Sequence, residues 1–261
     1  MDAFQLNVKN NRDRAYAGYR EKDAEGNFGP YVWKTYGEID EISSNLARGI
    51  KHLDLAPDVD GEGKKWRFLG LWAKNRWEWQ TTLLAAIHYN ITSVGFYDAM
   101  GSEALDFIFN QTEMSTIFVA SYLIPKIIAL KKEGKAAFIQ NLVAYDEISS
   151  EITTQAGEVD ITLYTFDQVI QEGEKNKGTV AAFIPAHEDD IYTFSYTSGT
   201  TGDAKGVKLS HKNILASSQS ALTRLTMDNT DLYISYLPYP HSFEQCLLVM
   251  SLLTGCKVGY Y

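Results

Sequence analysis

The chain is expected to form an α/β fold: a doubly wound, mainly parallel sheet with flanking helices. Three features carry that expectation. Short apolar segments of strand length alternate with longer segments of helical period. The strand candidates are apolar almost throughout, as strands covered on both faces are. The alternation implies βαβ crossovers, whose fixed hand makes a doubly wound sheet the default topology.

The elements follow in order. "KTYGEIDEISSNLARGIKHL" opens on Thr35 with Glu38 three residues on, a capping-box pattern. It then places Ile39, Ile42, Leu46, Ile50 and Leu53 on one helical face. "RFLGLWA" is a strand. "NRWEWQTTLLAAIHYN" is a helix with Trp79, Leu83 and Ile87 in one stripe; Trp77, two residues from Trp79, points elsewhere and forms no clamp with it. "TSVGFY" is a strand, and "GSEALDFIFNQT" a helix capped by Ser102. "STIFVA" is a strand, "YLIPKIIALKKEG" mostly helix, and "NLVAYD" a strand. The expected organisation is a lead-in over 1–34, a βαβ-rich part over 35–150, a polar linking region over 151–190 and a further α/β part over 191–261.

The 261 residues suffice for one large domain or two small ones. A formal net charge of −9, with no basic cluster beyond pairs such as Lys64-Lys65, argues against nucleic acid as a partner. Cys246 and Cys256 lie in apolar surroundings with no C-x-x-C or Cys/His cluster, so they read as buried free thiols rather than zinc ligands. The first residues lack an apolar signal region, and the longest apolar run, Leu247 to Leu253, is too short to span a bilayer. A cytoplasmic location is expected, with peripheral contact to the endoplasmic reticulum or another membrane left open.

The chemistry-bearing stretch is "YTFSYTSGTTGDAKGVKLSH", Tyr192 to His211. Ile191 to Tyr196 is rich in aromatic and β-branched residues and should be a strand. Thr197-Ser198-Gly199-Thr200-Thr201-Gly202 should end it. Glycines 199 and 202 allow close backbone approach to a ligand. The hydroxyls of Thr197, Ser198, Thr200 and Thr201, with the main-chain N–H groups, offer donors to anionic oxygens, and Lys205 adds a cation. The spacing fits neither a Walker P-loop nor G-x-G-x-x-G. Taken alone it reads equally as a phosphate cradle or a solvated turn. Ser210 should cap the helix "HKNILASSQSALTRL", with Ile214, Leu215, Ala221, Leu222 and Leu225 on its buried face and His211 structural.

"YTSGTTGDAKGV" resembles the phosphate-loop signature of the AMP-forming acyl and aryl adenylating enzymes. The stretch from "FLGLWAKNRWEWQ" to "STIFVA", together with "SYLPYPHSFEQ" and "GYREKDAEGNFGPYVWKTYGEI", is similar to long-chain fatty acyl-CoA synthetases. The resemblance covers nearly the whole chain. It departs at Ala204, where the family usually has proline; alanine gives up stiffness but neither a donor nor the charge.

That resemblance implies an ATP-dependent long-chain fatty acid–CoA ligase. A carboxylate attacks the α-phosphorus of ATP to give an acyl-adenylate and pyrophosphate, and the thiol of coenzyme A then displaces AMP. Thr197, Ser198, Gly199, Thr200, Thr201, Gly202 and Lys205 become the ATP-contacting set, with Lys205 the catalytic cation and Thr201 beside a magnesium ion. In "LPYPHSFEQ", His241 and Phe243 become walls of the acyl pocket. Phe243 reads equally as core, and Glu244 as a first-turn acid favoured by the helix dipole. The family's adenine, ribose and catalytic-lysine motifs do not occur, so the chain is expected to be the N-terminal, incomplete portion of the large domain and inactive or nearly so alone. The apolar strand pattern of "SLLTGCKVGYY" is expected to leave an unpaired sheet edge. The alternative is a non-catalytic homologue acting as a binding or interaction module.

Overall fold

The computed structural model describes residues 1–184, 186–198 and 204–261, with Ser198 described by its backbone only. Helix α1 (Asp2–Asn11) leads into a hairpin of β1 (Ala15–Lys22) and β2 (Phe28–Thr35). Thr35 then caps α2 (Tyr36–His52). Its hydroxyl accepts from the Glu38 N–H at 3.2 Å while the Glu38 carboxylate accepts from the Thr35 N–H at 2.7 Å, the reciprocal pattern that satisfies two orphan donors.

A small hairpin of β3 (Val59–Gly61) and β4 (Lys64–Trp66) precedes the alternating run. That run comprises β5 (Phe68–Trp72), α3 (Trp77–Ile87), β6 (Thr92–Gly95), α4 (Ser102–Thr112), β7 (Thr116–Val119), α5 (Ile124–Lys132) and β8 (Asn141–Ala144). It continues through α6 (Ser150–Gly157), β9 (Thr162–Thr165), α7 (Phe166–Lys175), β10 (Ile191–Ser198), β11 (Ala204–Ser210) and α8 (His211–Leu222). The last elements are β12 (Leu232–Ser235), α9 (Ser242–Thr254) and β13 (Lys257–Tyr260).

The main sheet has seven strands in the order β11-β10-β6-β5-β7-β8-β9, all parallel except the β10–β11 pair. Every residue of β5, β6 and β7 is buried; β5 is wholly non-polar, as a strand covered on both faces can be, while Thr92 and Ser93 of β6 bury their hydroxyls against the Ile191 and Tyr192 carbonyls. The step from β5 to β6 runs one way along the sheet and the step from β6 to β7 runs back past β5. That reversal puts the switch point between β5 and β7, and a crevice opens beside it at the C-terminal ends of β5 and β6, the end at which α/β sheets bind ligands. α2 packs on α3 and α7, and α5 on α6. The α2–α7 contact is close: a Cβ on Gly49 would lie 1.9 Å from the Val169 carbonyl oxygen, and one on Gly173 1.8 Å from that of Asn45.

A second sheet, in the order β12-β13-β1-β2, joins distant parts of the chain. β1 runs parallel to β13, with Ala17 opposite Val258, and antiparallel to β2. Trp79 of α3 stacks on Tyr239 with ring centroids 4.3 Å apart, and the Gln80 side chain bonds the hydroxyls of Tyr16 and Tyr260, tying this sheet to the main body.

Several expectations change. Ser102 is the first residue of α4; the cap position is Gly101, with no side-chain bond. Residues 151–190, expected to link, carry α6, β9 and α7, and β9 is an edge strand of the main sheet. Thr197 and Ser198 do not end their strand but continue β10 in register with β11. β13 is not an edge: it sits between β1 and β12, and the edges are β12 and β2. On the α8 face, Ile214 is buried but Leu215 is exposed, and Leu225 lies exposed beyond the helix end. Trp77 and Trp79 do diverge, Trp77 meeting Tyr19 and Phe166.

Candidate functional site

Thr197 and Ser198, the first residues of the Gly/Ser/Thr stretch, end β10, which pairs with β11. Thr197 stands opposite Lys205 and Ser198 opposite Ala204, so the hairpin brings the first hydroxyl and the lysine of the motif together at its neck. Both Thr197 and Lys205 are exposed. Gly199, Thr200, Thr201 and Gly202 lie outside the described residues.

The hairpin is anchored on several sides. The Tyr196 hydroxyl donates to the Gln111 side-chain oxygen on α4 at 2.6 Å. Phe194 packs edge-on against Trp66 and Phe68. Lys208 pairs with Glu62 of the β3–β4 hairpin. Ser195 donates to the Pro240 carbonyl at 3.3 Å, which sets the hairpin directly beside the second motif.

There, His241 is the N-cap of α9. Its Nδ1 accepts from the Phe243 N–H at 3.1 Å. That bond leaves Nε2 as the protonated, donating nitrogen of a neutral ring. Phe243 is 47% exposed, so it is not core. Gly95, at the end of β6, is pressed against Pro240: a Cβ there would approach the proline to 3.1 Å. His211, expected to be structural, begins α8 against the Tyr192 ring, and burial lowers its pKa to about 4. Ser210 caps α8 as read in sequence. Cys256 is buried and Cys246 half-buried, both as free thiols.

The crevice itself has a volume of about 650 Å³. The β5–α3 loop contributes Lys74 and Asn75, the loop after β6 contributes Tyr97 and Asp98, and the β12–α9 segment contributes Ser235 and Tyr236. Asn75 organises it. Its Nδ2 donates to the Leu237 carbonyl at 2.6 Å and to Ser235 Oγ at 2.7 Å, while its Oδ1 accepts from the Tyr239 N–H at 3.2 Å.

Glu244, read as a first-turn acid, is completely buried. Its carboxylate accepts from Tyr233 and Ser235, with Asn75 Nδ2 3.4 Å away. Burial raises its pKa and these hydrogen bonds oppose the rise. Sequence reading missed Asn75, Tyr233 and Ser235. The available signal was Glu244 itself, a carboxylate at the start of a helix that is mostly apolar from Cys246 onward.

Among the described residues no group of three His, Cys, Asp or Glu could hold a metal ion, and Thr201, expected beside magnesium, lies outside them. No helix among them is long and apolar enough to cross a membrane.

The family model for the AMP-binding enzyme matches residues 5–261. The chain belongs to the AMP-binding enzyme family. Among its relatives are fatty acyl-CoA synthetase B of Dictyostelium discoideum, 28% identical over 260 residues, and long-chain-fatty-acid–CoA ligase 1 of Cavia porcellus, 28% identical over 268. Each match covers 100% of this chain but only 37% and 36% of those proteins, so the chain spans little more than a third of their length.

Solved structures show the same AMP-binding fold. The adenylation domain of a carboxylate reductase from Mycobacterium chelonae aligns with TM-score 0.79 at 16% identity, covering 99% of this chain and 41% of that one. A two-domain piece of a carboxylic acid reductase from Segniliparus rugosus, in complex with AMP, aligns with TM-score 0.78 at 18% identity, covering 98% and 38%.

Proposed function

We propose that this chain supplies the phosphate-binding and acyl-entry part of an AMP-forming long-chain fatty acid–CoA ligase, converting fatty acid, ATP and coenzyme A into acyl-CoA, AMP and pyrophosphate. The carrying observation is the junction of the two motifs: Ser195 of the hairpin bonded to Pro240, one residue before His241, with Pro240 lining the crevice at the C-terminal ends of β5 and β6. The synthetase relatives support the reaction class.

In this reading Thr197, Ser198, Gly199, Thr200, Thr201, Gly202 and Lys205 hold the β- and γ-phosphates. Neutral donors and one cation stabilise the charge that builds on departing pyrophosphate. The Nε2–H of His241 orients the attacking carboxylate, with Phe243 along the acyl entry. Magnesium accepts hard oxygen donors such as the Thr201 hydroxyl and, when bound, would neutralise phosphate charge. The apolar cavity between α1, α3, α8 and α9, lined by Leu83, Leu84, Ile214, Leu248 and Leu252, has a volume of about 60 Å³ and is too small for a long acyl chain, which must lie elsewhere. A peripheral membrane encounter is consistent with such a substrate. Residues beyond this third of the relatives' length are required for turnover.

The test is pyrophosphate exchange driven by a sixteen-carbon acid, using this chain and a longer form of relatives' length. The longer form should exchange and this chain should not; robust exchange by this chain alone would overturn the claim of incompleteness. In the active form Lys205→Ala should lower adenylate formation by about 100-fold with little change in melting temperature. Unchanged activity would remove Lys205 from the site. The interaction-module reading draws on edge strand β12, where Leu232, Ile234 and Tyr236 are exposed; a native mass of 29.3 kDa in source cells would favour it.

A further inference from the structure

The start of α9 is held by an acid that has no cation to answer it. Among the described residues no ion pair includes Glu244. Burying an unpaired carboxylate is unfavourable for stability, and a leucine or methionine in this turn would pack without that penalty. What the carboxylate does is gather donors from two separate places. Tyr233 and Ser235 come from β12 of the small sheet, and Asn75 comes from the β5–α3 loop of the main sheet.

We infer that Glu244 is a positioning residue: by drawing Tyr233 and Ser235, and through Ser235 also Asn75, onto the first turn of α9, it fixes the 235–240 wall of the crevice and so sets where the adjoining His241 stands.

The geometry explains why a carboxylate is needed. Tyr233 and Ser235 each present a hydroxyl hydrogen to a different carboxylate oxygen, while the two hydrogens of Asn75 Nδ2 go to the Leu237 carbonyl and to Ser235 Oγ; only an ionised carboxylate accepts on both oxygens without a donor of its own. Asn75 cannot turn over to suit another partner. Its Nδ2 is committed to the Leu237 carbonyl and its Oδ1 to the Tyr239 N–H. A glutamine at 244 would keep the shape but point an NH₂ at groups that already donate. The Tyr233 hydroxyl could rotate to accept, but Ser235 already accepts from Asn75, so a turned Ser235 would loosen the tie to the wall. The next residue, Gln245, adds a tie by donating to the Tyr239 carbonyl at 3.1 Å. Ser235 still pairs with Tyr260 of β13, but from there to His241 the segment is held largely by side chains.

The first readout is backbone amide hydrogen exchange on this chain, which needs no turnover. Glu244→Gln should accelerate exchange at Tyr239, His241 and Phe243 by about tenfold or more while β7 and β8 keep their protection. Uniform acceleration, or none, would overturn the inference. Should Glu244→Gln fail to fold, Tyr233→Phe and Ser235→Ala each strip one donor, and the same local pattern is expected. Wild-type exchange in both would sink the proposal.

The second readout rests on the ligase reading and uses the longer active form. Glu244→Gln should raise KM for the fatty acid about tenfold with kcat and KM for ATP nearly unchanged, a split that lowered stability alone would not produce. Absence of activity in the wild type would refute the ligase reading and leave the exchange result standing. Wild-type kinetic constants in the variant would refute the positioning role alone.

Discussion

The two sheets of this molecule are built on opposite plans. The main sheet is assembled from neighbouring βα units, and its central strands β5, β6 and β7 are buried residue by residue. The small sheet joins β1 to β13 across almost the whole sequence, and its strands are half open, with Leu232 and Ile234 exposed on β12. The main body is therefore rigid against added volume and intolerant of added charge. The small sheet has room to yield. The crevice lies where the two meet, with Asn75 from the first bonded to Ser235 of the second.

The sharpest way to break this contrast is one substitution made in both bodies. An alanine at Gly49 or Gly173 drives its Cβ into a neighbouring helix backbone, at 1.9 and 1.8 Å. Each should destabilise by about 3 kcal/mol or more, because packed backbones cannot step aside. For an alanine at Gly18 of β1 the three nearest atoms all belong to the Trp33 ring, the first at 2.6 Å. That half-buried side chain can swing, so the loss should be about 1 kcal/mol or less. Urea unfolding of the three variants measures this directly, and equal losses would erase the distinction.

Next in size is a pH effect confined to the main body. His88, at the end of α3, is buried with its ring 4.0 Å from that of Phe183, and burial lowers its pKa to about 4. An unfolded histidine titrates near about 6.5. Between those values the unfolded chain binds the proton and the folded chain does not. Stability is therefore full above about pH 6.5, falls as pH drops toward 4, and loses about 2–3 kcal/mol to this residue. His88→Phe should flatten that slope, leaving the share owed to His211. An unchanged slope would show that His88 is not buried neutral.

The smallest effect is expected at the hairpin edge. Ala204 is the first residue of β11, a position where proline is tolerated. Ala204→Pro should change stability by no more than about 0.5 kcal/mol and leave activity in the longer form equal or slightly higher. A sharp loss in adenylate formation would mean that this loop is shaped differently from those of its relatives.

The same division decides what could be read in the sequence. The main sheet was legible because its signals are local: apolar runs of strand length, Thr35 and Glu38 three residues apart, helical stripes such as Trp79 and Leu83. The strand β9 was missed because its four residues, Thr162 to Thr165, carry edge-strand polarity inside a polar stretch. β13 was expected to stand unpaired because its neighbour β1 lies at the other end of the chain, and no local pattern encodes that pairing. For the site, the Gly/Ser/Thr motif and His241 were legible as composition and spacing. Asn75 and Glu244 were not, since their roles come from a contact between residues 169 positions apart.

β1 reaches its parallel partner only when Val258 has been made, long after Ala17. At ribosomal speeds of about 5–20 residues per second, that interval is on the order of tens of seconds. A β1–β2 hairpin formed in that time would present a free edge that can template a passing strand. The main sheet can close meanwhile, since its strands arrive in near succession. The long-range closure thus makes birth order part of this protein's physics: a pause in synthesis before residue 257 would lengthen the life of an open edge, and a chaperone that covers β1 would matter most in that window.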